Sequence, residues 1–334
     1  MKTTMCLAVA TVMVLLAAGA GAQQSEPGTS VGAGTAAPSI APAAPARDFS
    51  KVQIKTTDLG RDTYMLEGQG GNITIAVARN GVIMVDSQFA PLHDKIKAAV
   101  AAITRQPIRF LVNTHYHGDH TGGNAAFAAD GVGIITHENV RKRLAEGTVN
   151  GLTGNKTPPA AEKALPSKTY GKATTLKLRG RTAQLRHFPR AHTDGDTYVW
   201  FADANVLATG DIVSVGGRYP NIDFANGGSI NGMIAAVDAY LKLANEDTKI
   251  VPGHGPLLKK ADLVEYREML ATTRERMAKL IAEGKSEADV LAAKPFADID
   301  ANLGVNEQGS RNFIRVVYNS LKQSRGVKGG KQGG

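Results

Sequence analysis

Cysteine is almost missing from this chain of 334 residues: there is one, Cys6, near the start. That excludes a disulfide framework and, past residue 6, any thiolate-bound metal. Aromatic side chains make up 5% of the chain, with one tryptophan, so the stacking platforms that single-stranded nucleic acids use are scarce. The formal net charge is +9. The basic residues are spread over predicted helices and the termini, not gathered in a stripe interleaved with aromatics, so no nucleic acid is expected as a partner. Long apolar runs are lacking too. The longest, Leu7 to Ala18, is too short to span a bilayer. With Lys2 before it and Ala20-Gly21-Ala22 after it, it reads as a signal peptide over residues 1–22, leaving no stable membrane insertion after its removal. Cys6 lies inside this segment, too early for lipid attachment at the cleavage point. The mature chain would then hold no cysteine, which suits an oxidising compartment, so the expected location is periplasmic or secreted.

What is present suits one large domain: 43% hydrophobic and 21% charged residues, with no convincing break after residue 50. Residues 23–47, rich in Ala, Pro, Gly, Ser and Thr, read as a flexible linker. Residues 326–334 read as a disordered basic tail, leaving 48–325 as the folded domain. Its patterning is mixed α and β. Ile73 to Ala78 and Val82 to Val85 form a predicted hairpin turning at Asn80-Gly81. Pro91 to Ile103 is a predicted amphipathic helix, and Gly133 to Thr136 a strand. His137 to Glu146 is a basic helix, and residues 148–168 a long loop of the kind that forms lids or substrate walls. Thr174 to Leu178 and Thr182 to His187 form a second predicted hairpin. Helices follow over Ser229 to Leu243, Ala261 to Glu283 and Arg311 to Lys322. Ser286-x-x-Asp289 is a capping box opening another.

Histidine is where the chain concentrates its chemistry. Of 8 histidines, three fall within His115-Tyr116-His117-Gly118-Asp119-His120, directly after a predicted buried strand over residues 108–113. In an extended segment His115 and His117 point to the same side. Gly118 permits a sharp turn, and Asp119 and His120 then face a second position. A short helix is expected to open at Thr121-Gly122-Gly123-Asn124. His192 precedes a strand at Tyr198 to Phe201, the strand from Asn205 runs into a loop that carries Asp211, and His254 sits on the glycine-flanked turn after Lys249 to Val251. Imidazole and carboxylate donors at strand ends suit zinc and similar divalent ions. His137 reads as a helix N-terminal residue, and His93 and His187 as surface or edge residues.

These residues closely resemble the metallo-β-lactamase superfamily. The resemblance covers roughly residues 50 to 270, and His115-x-His117-x-Asp119-His120 is its specific part. It implies a four-layer αββα sandwich with the site at one edge of the two sheets, and two zinc ions per chain. His115, His117 and His192 would hold the first ion, Asp119, His120 and His254 the second, and Asp211 would bridge them. Asp86, ending the strand Val82 to Val85, matches an early aspartate that supports the site without binding metal. By sequence alone it reads equally well as a turn residue.

The chemistry implied is hydrolysis of an activated acyl bond (lactone, β-lactam or ester) in a small-molecule substrate, by a hydroxide formed on the ions. Asp119 would be the catalytic residue, orienting the nucleophile. An aspartate at position 211 resembles thioesterases, lactonases and phosphodiesterases of the superfamily more than its β-lactamases. Arg218 and Tyr219-Pro220-Asn221 are candidates for gripping a substrate carboxylate. Two alternatives stand beside this reading. One is a mononuclear-iron or diiron redox enzyme on the same fold, against whose diiron form His117 counts. The other is a non-catalytic periplasmic metal-binding protein.

Overall fold

The computed structural model describes residues 47–329. The expected signal peptide, nearly all of the expected linker, and the last five residues of the chain lie outside them. The first half runs β1 (Lys55–Gly60), β2 (Thr63–Glu67), β3 (Ile73–Ala78), β4 (Gly81–Val85), α1 (His93–Ile103), β5 (Ile108–Val112), α2 (Gly118–Thr121), α3 (Asn124–Ala129), β6 (Gly133–His137), α4 (Glu138–Glu146), a small hairpin of β7 (Thr148–Val149) and β8 (Lys156–Thr157), and β9 (Lys168–Tyr170). Seven of these strands form one sheet in the order β1-β2-β3-β4-β5-β6-β9, antiparallel as far as β4 and parallel beyond it. The second half comprises β10 (Ala173–Leu178), β11 (Arg181–His187), β12 (Thr197–Phe201), β13 (Val206–Ser214), α5 (Ile230–Leu243) and β14 (Lys249–His254), followed by α6 (Lys260–Ala282), α7 (Glu287–Ala293), α8 (Ala297–Leu303) and α9 (Glu307–Gly329). Its sheet is ordered β10 to β14, with β13 and β14 parallel.

Strand periodicity explains the layering. In β4, Val82 and Met84 join a core with Leu92, Ile96 and Val100 around α1 and with Phe127 of α3. Ile83 and Val85, on the opposite face, join a second core with Leu185, Val199, Phe201 and Val251 of the other sheet. A strand buried on both faces is apolar throughout rather than alternating, as the GVIMV of β4 is. The outer face of the second sheet packs Leu207 and Ile250 against Met233, Val237 and Tyr240 of α5, Leu270 of α6 and Val317 of α9. Helix, sheet, sheet, helix is the expected four-layer αββα sandwich.

Several local expectations shift. The hairpin turn is Arg79-Asn80, since Gly81 already pairs with Ala78. Pro91 lies in a 3-10 turn, Ala90–Leu92, before α1 begins. The supposed loop over 148–168 contains β7, β8 and a 3-10 turn, and its end pairs with β6 as the edge strand β9. α9 continues to Gly329, into the segment expected to be a tail. The capping box holds: Ser286 Oγ accepts from Asp289 N, and Asp289 accepts from Ser286 N at 2.9 Å. Among the described residues no helix is long and apolar enough to cross a membrane.

Candidate metal centre

All seven residues singled out from the sequence converge at one edge of the two sheets. His115, His117, His192 and Asp211 form one cluster, and Asp119, His120 and His254 another; within each, the possible donor atoms lie within 4.8 Å of one another. Asp211 joins the two. Its Oδ2 lies 3.9 Å from His115 Nε2, 3.8 Å from His192 Nε2 and 3.4 Å from His254 Nε2, and its Oδ1 lies 3.1 Å from His120 Nε2. His254 Nε2 is also 3.2 Å from Asp119 Oδ2.

The backbone delivers these groups in ways the sequence only partly foretells. β5 stops at Val112 and the next residues bend, so the Nε2 of His115 and the Nδ1 of His117 meet at 3.1 Å. The helix expected at residue 121 already begins at Gly118, so Asp119 and His120 project from its first turn. Asp211 lies within β13, not in a loop after it. The register against β14 breaks on both sides of Gly210 and Asp211, and Gly210 takes a φ of +54°. Such a bulge re-aims a side chain. Gly253 is fixed by the same carboxylate: a Cβ there would sit 2.0 Å from Asp211 Oδ1. His192 is presented by a turn that Asp196 closes, accepting from Thr193 N at 2.8 Å and Thr193 Oγ1 at 2.6 Å. Burial pushes that carboxyl up to about 8.

Outer partners fix the orientation of four of the rings. Thr114 Oγ1 donates to Asp86 Oδ2 at 2.8 Å and therefore accepts from His115 Nδ1 at 3.0 Å, leaving Nε2 inward. His120 Nδ1 donates to Asp86 Oδ2 at 2.8 Å, and His192 Nδ1 to the carbonyl of Asn221 at 2.7 Å. His117 is turned the other way: Nε2 donates to Asp223 Oδ2 at 3.1 Å, so Nδ1 faces the cluster, 2.9 Å from His192 Nε2. Asp86 thus supports the site as the resemblance implied. Asp223 and Thr114 were missed in the sequence, where neither carries a motif. Asp223 also accepts from Tyr116 OH and from Asn226 Nδ2. Arg143 of α4 reaches Asn226 in turn and pairs with Asp194 at 2.6 Å.

This donor set fits divalent ions. With each outer nitrogen carrying the proton, the inward nitrogens present lone pairs to one another and to a buried carboxylate, an arrangement that a cation makes favourable. Among the described residues, Asp211 Oδ1 is buried with no hydrogen-bond partner. Protons compete for the same positions. For His120 burial favours the neutral ring, but Asp211 and Asp86 outweigh it and hold its pKa well above the usual value. For His254 burial likewise opposes, and Asp119 and Asp211 raise it to about 9. Burial holds His192 down at about 4 and His115 well below its usual value. Despite burial, Asp119 falls to about 2 beside His254.

The model of the metallo-β-lactamase superfamily matches residues 66–254, the span from β2 to the last clustered histidine. The chain belongs to the metallo-β-lactamase superfamily. Among solved structures, a metallo-β-lactamase from Pontibacter korlensis superposes with a TM-score of 0.55 at 18% identity, covering 66% of this chain and 99% of that one. A hydroxyacylglutathione hydrolase of Polaromonas sp. is 31% identical over 166 residues, 49% of this chain and 55% of that protein. The alpha subunit of a 2,4-dinitroanisole O-demethylase of Nocardioides sp. is 28% identical over 142 residues, 42% of this chain and 40% of that subunit. The chain therefore spans about half the length of these two enzymes, the hydrolase and the demethylase subunit. Residues 255–329, with α6 to α9, lie beyond the matched superfamily segment.

The three remaining histidines stay outside the two clusters. His93 pairs with Asp94 and Asp130 at the surface. His137 accepts from Asn139 N as the N-cap of α4. His187, expected at the surface, is half-buried and stacks on His137, ring centroids 3.5 Å apart. Arg218 is exposed on the wall of a cavity of about 800 Å³ that Asn150, Tyr219, Asn221, Asn306 and Arg315 also line.

Proposed function

We propose that the protein is an exported, dinuclear zinc hydrolase that cleaves an activated acyl bond (lactone, β-lactam or ester) in a small-molecule substrate. The observation that carries this reading is the position of Asp211, whose two oxygens reach inward nitrogens of both clusters at 3.1–3.9 Å. Two divalent ions held by these groups would supply an acidified water and a Lewis acid for the electrophile's oxygen.

The chain's own groups do the rest. The imidazoles hold their lone pairs inward because Asp86, Asn221 and Asp223 hold the opposite nitrogens. Asp119 is ionised and only partly buried, so it can accept a proton from the attacking water and return it to the leaving group. The cavity beside Asn221 is wide enough for a substrate body, and Arg218 offers a cation to a carboxylate there. The hydroxyacylglutathione hydrolase relative supports acyl chemistry. The leader, not glutathione, is the guide to location: export places the substrate outside the cytoplasm.

Metal counting on protein purified without added metal, paired with a hydrolysis screen over lactones, β-lactams, thioesters and phosphodiesters, tests the reading. Two zinc equivalents and turnover of a cyclic or activated acyl compound are expected. One tightly held iron with redox activity, or two ions with no turnover of any acyl substrate, overturns it. N-terminal sequencing of the cellular protein should begin near Gln23, and Met1 retained on it refutes export.

A further inference from the structure

His254 differs from the other four clustered histidines. Each of those has its outer nitrogen held by a hydrogen-bond partner, whereas among the described residues no group bonds the Nδ1 of His254. Its Nε2 still has to meet Asp119 Oδ2 and His120 Nε2, at 3.2 and 3.4 Å. Those two residues come from α2, which follows β5, whereas His254 ends a strand of the other sheet. Something must therefore fix the backbone that carries the ring.

The connection between β2 and β3 does so. Asn72 donates from its backbone N to the carbonyl of Gly253 at 2.7 Å. Its side-chain Nδ2 donates to the carbonyls of Pro252 at 3.0 Å and Gly255 at 2.9 Å. Three carbonyls around His254 thus accept from one residue. The same segment is tied to Asp119, a second member of the cluster, and to Gln88. Gly71 N donates to the carbonyl of Asp119 at 3.0 Å, and Gln88 Nε2 donates to the carbonyl of Gly71 at 2.8 Å. The segment lies flat against them because it lacks side chains: a Cβ on Gly70 would come 2.9 Å from the Asp119 carbonyl, and one on Gly71 would come 2.1 Å from the His120 ring. Gly70-Gly71-Asn72 is a strap across Asp119, His120 and the turn of His254.

We propose that Asn72 is the positioning residue of the Asp119–His120–His254 subsite, acting through the backbone of His254 to determine whether that subsite retains its ion. The inference rests on the two-ion reading above. His115, His117 and His192 are held by Thr114, Asp223 and Asn221, to which no hydrogen bond of the strap runs among the described residues.

The test is a competitive titration of metal-free protein with zinc against a chromogenic chelator, resolving the two equivalents, with cobalt(II) absorption as a second signature. In Asn72→Ala the weaker equivalent should lose affinity about 10- to 100-fold, the range for removed outer partners, while the tighter one changes less than about threefold on the same scale. Asn72→Asp keeps the shape, loses both side-chain donors, and should lose at least as much. Asn72→Ser, which keeps one donor, should fall between wild type and Asn72→Ala, and it serves if the alanine variant does not fold. Equal weakening of both equivalents, or an unchanged second one, overturns the inference while wild-type protein still takes two ions. Wild-type protein that takes only one overturns the two-ion reading, and this inference with it.

Discussion

Each clustered histidine gives one nitrogen inward, and for four of the five a hydrogen-bonded neighbour decides which nitrogen it is. His117 is the clearest case, since Asp223 takes its Nε2 and so commits Nδ1 to the cluster. Asp223→Ala should weaken the ion held by His115, His117 and His192 by about 10- to 100-fold, with the other ion less affected; chelator competition on the purified variant would show it. Asp211→Ala acts on the opposite side. Each ion would lose one of four donors, but the first keeps three imidazoles and the second only two with a carboxylate, so the second should dissociate first and turnover should fall by orders of magnitude while the circular dichroism stays native. Two ions retained with full activity would make Asp211 an ordinary buried carboxylate. At this scale the ligands were legible because histidine and aspartate carry their chemistry in the side chain and lie in a dense motif. Asn72, Thr114, Asn221 and Asp223 were not, because they act through a backbone carbonyl, a hydroxyl or a lone carboxylate with no characteristic spacing.

At the scale of elements, the buried strands β3, β4 and β13 were readable as apolar runs. β1, β2 and β9 were not. β1 (KTTDLG) and β9 (KTY) are the sheet's two edges, and a polar edge strand has no run to find. The His137–His187 stack joins the end of β6 to the end of β11 and is a titratable joint between the two sheets. Burial, and next the neighbouring His187, lower His137 from 6.5 to about 4. A histidine whose pKa falls on folding favours the folded state fully above the unfolded value of 6.5. That contribution is lost as the pH falls through the window from 6.5 towards 4, because the unfolded chain takes up the proton first. His137→Asn keeps an N-cap acceptor and removes the titration. In metal-free protein its melting temperature should therefore fall less steeply than that of the wild type between pH 6.5 and 4. Parallel curves would show that the stack contributes nothing to the acid sensitivity.

On the scale of the molecule, buried carboxylates and inward lone pairs make the metal-free state costly, so ions should stabilise the fold by linkage. At free zinc about 100-fold above the dissociation constant, each site adds about 2.7 kcal/mol. For a domain of this size that is a rise of roughly 5–10 °C per ion in the melting temperature. Scanning calorimetry before and after chelation, with zinc re-addition restoring the midpoint, measures it. An unchanged midpoint would mean that the clusters relax without ions. The four-layer architecture was legible through the family resemblance that the histidine motif carries. The contribution of α9 and the turn before it to the cavity beside Asn221 was not, since helix faces say nothing about which loop they meet.

The clusters draw on both halves of the chain, and this has a consequence for timing. His115 and His117 precede Asp211 by nearly a hundred residues, and the second cluster waits for His254. During synthesis the early motif emerges as an incomplete chelator, with its remaining ligands still unmade. Neither subsite is complete until the second sheet has docked, so metal capture would be a late event in the life of each molecule. A chain exported before folding would meet its ions on the far side of the membrane. The ions it carries would then record the metal supply there and not that of the cytoplasm.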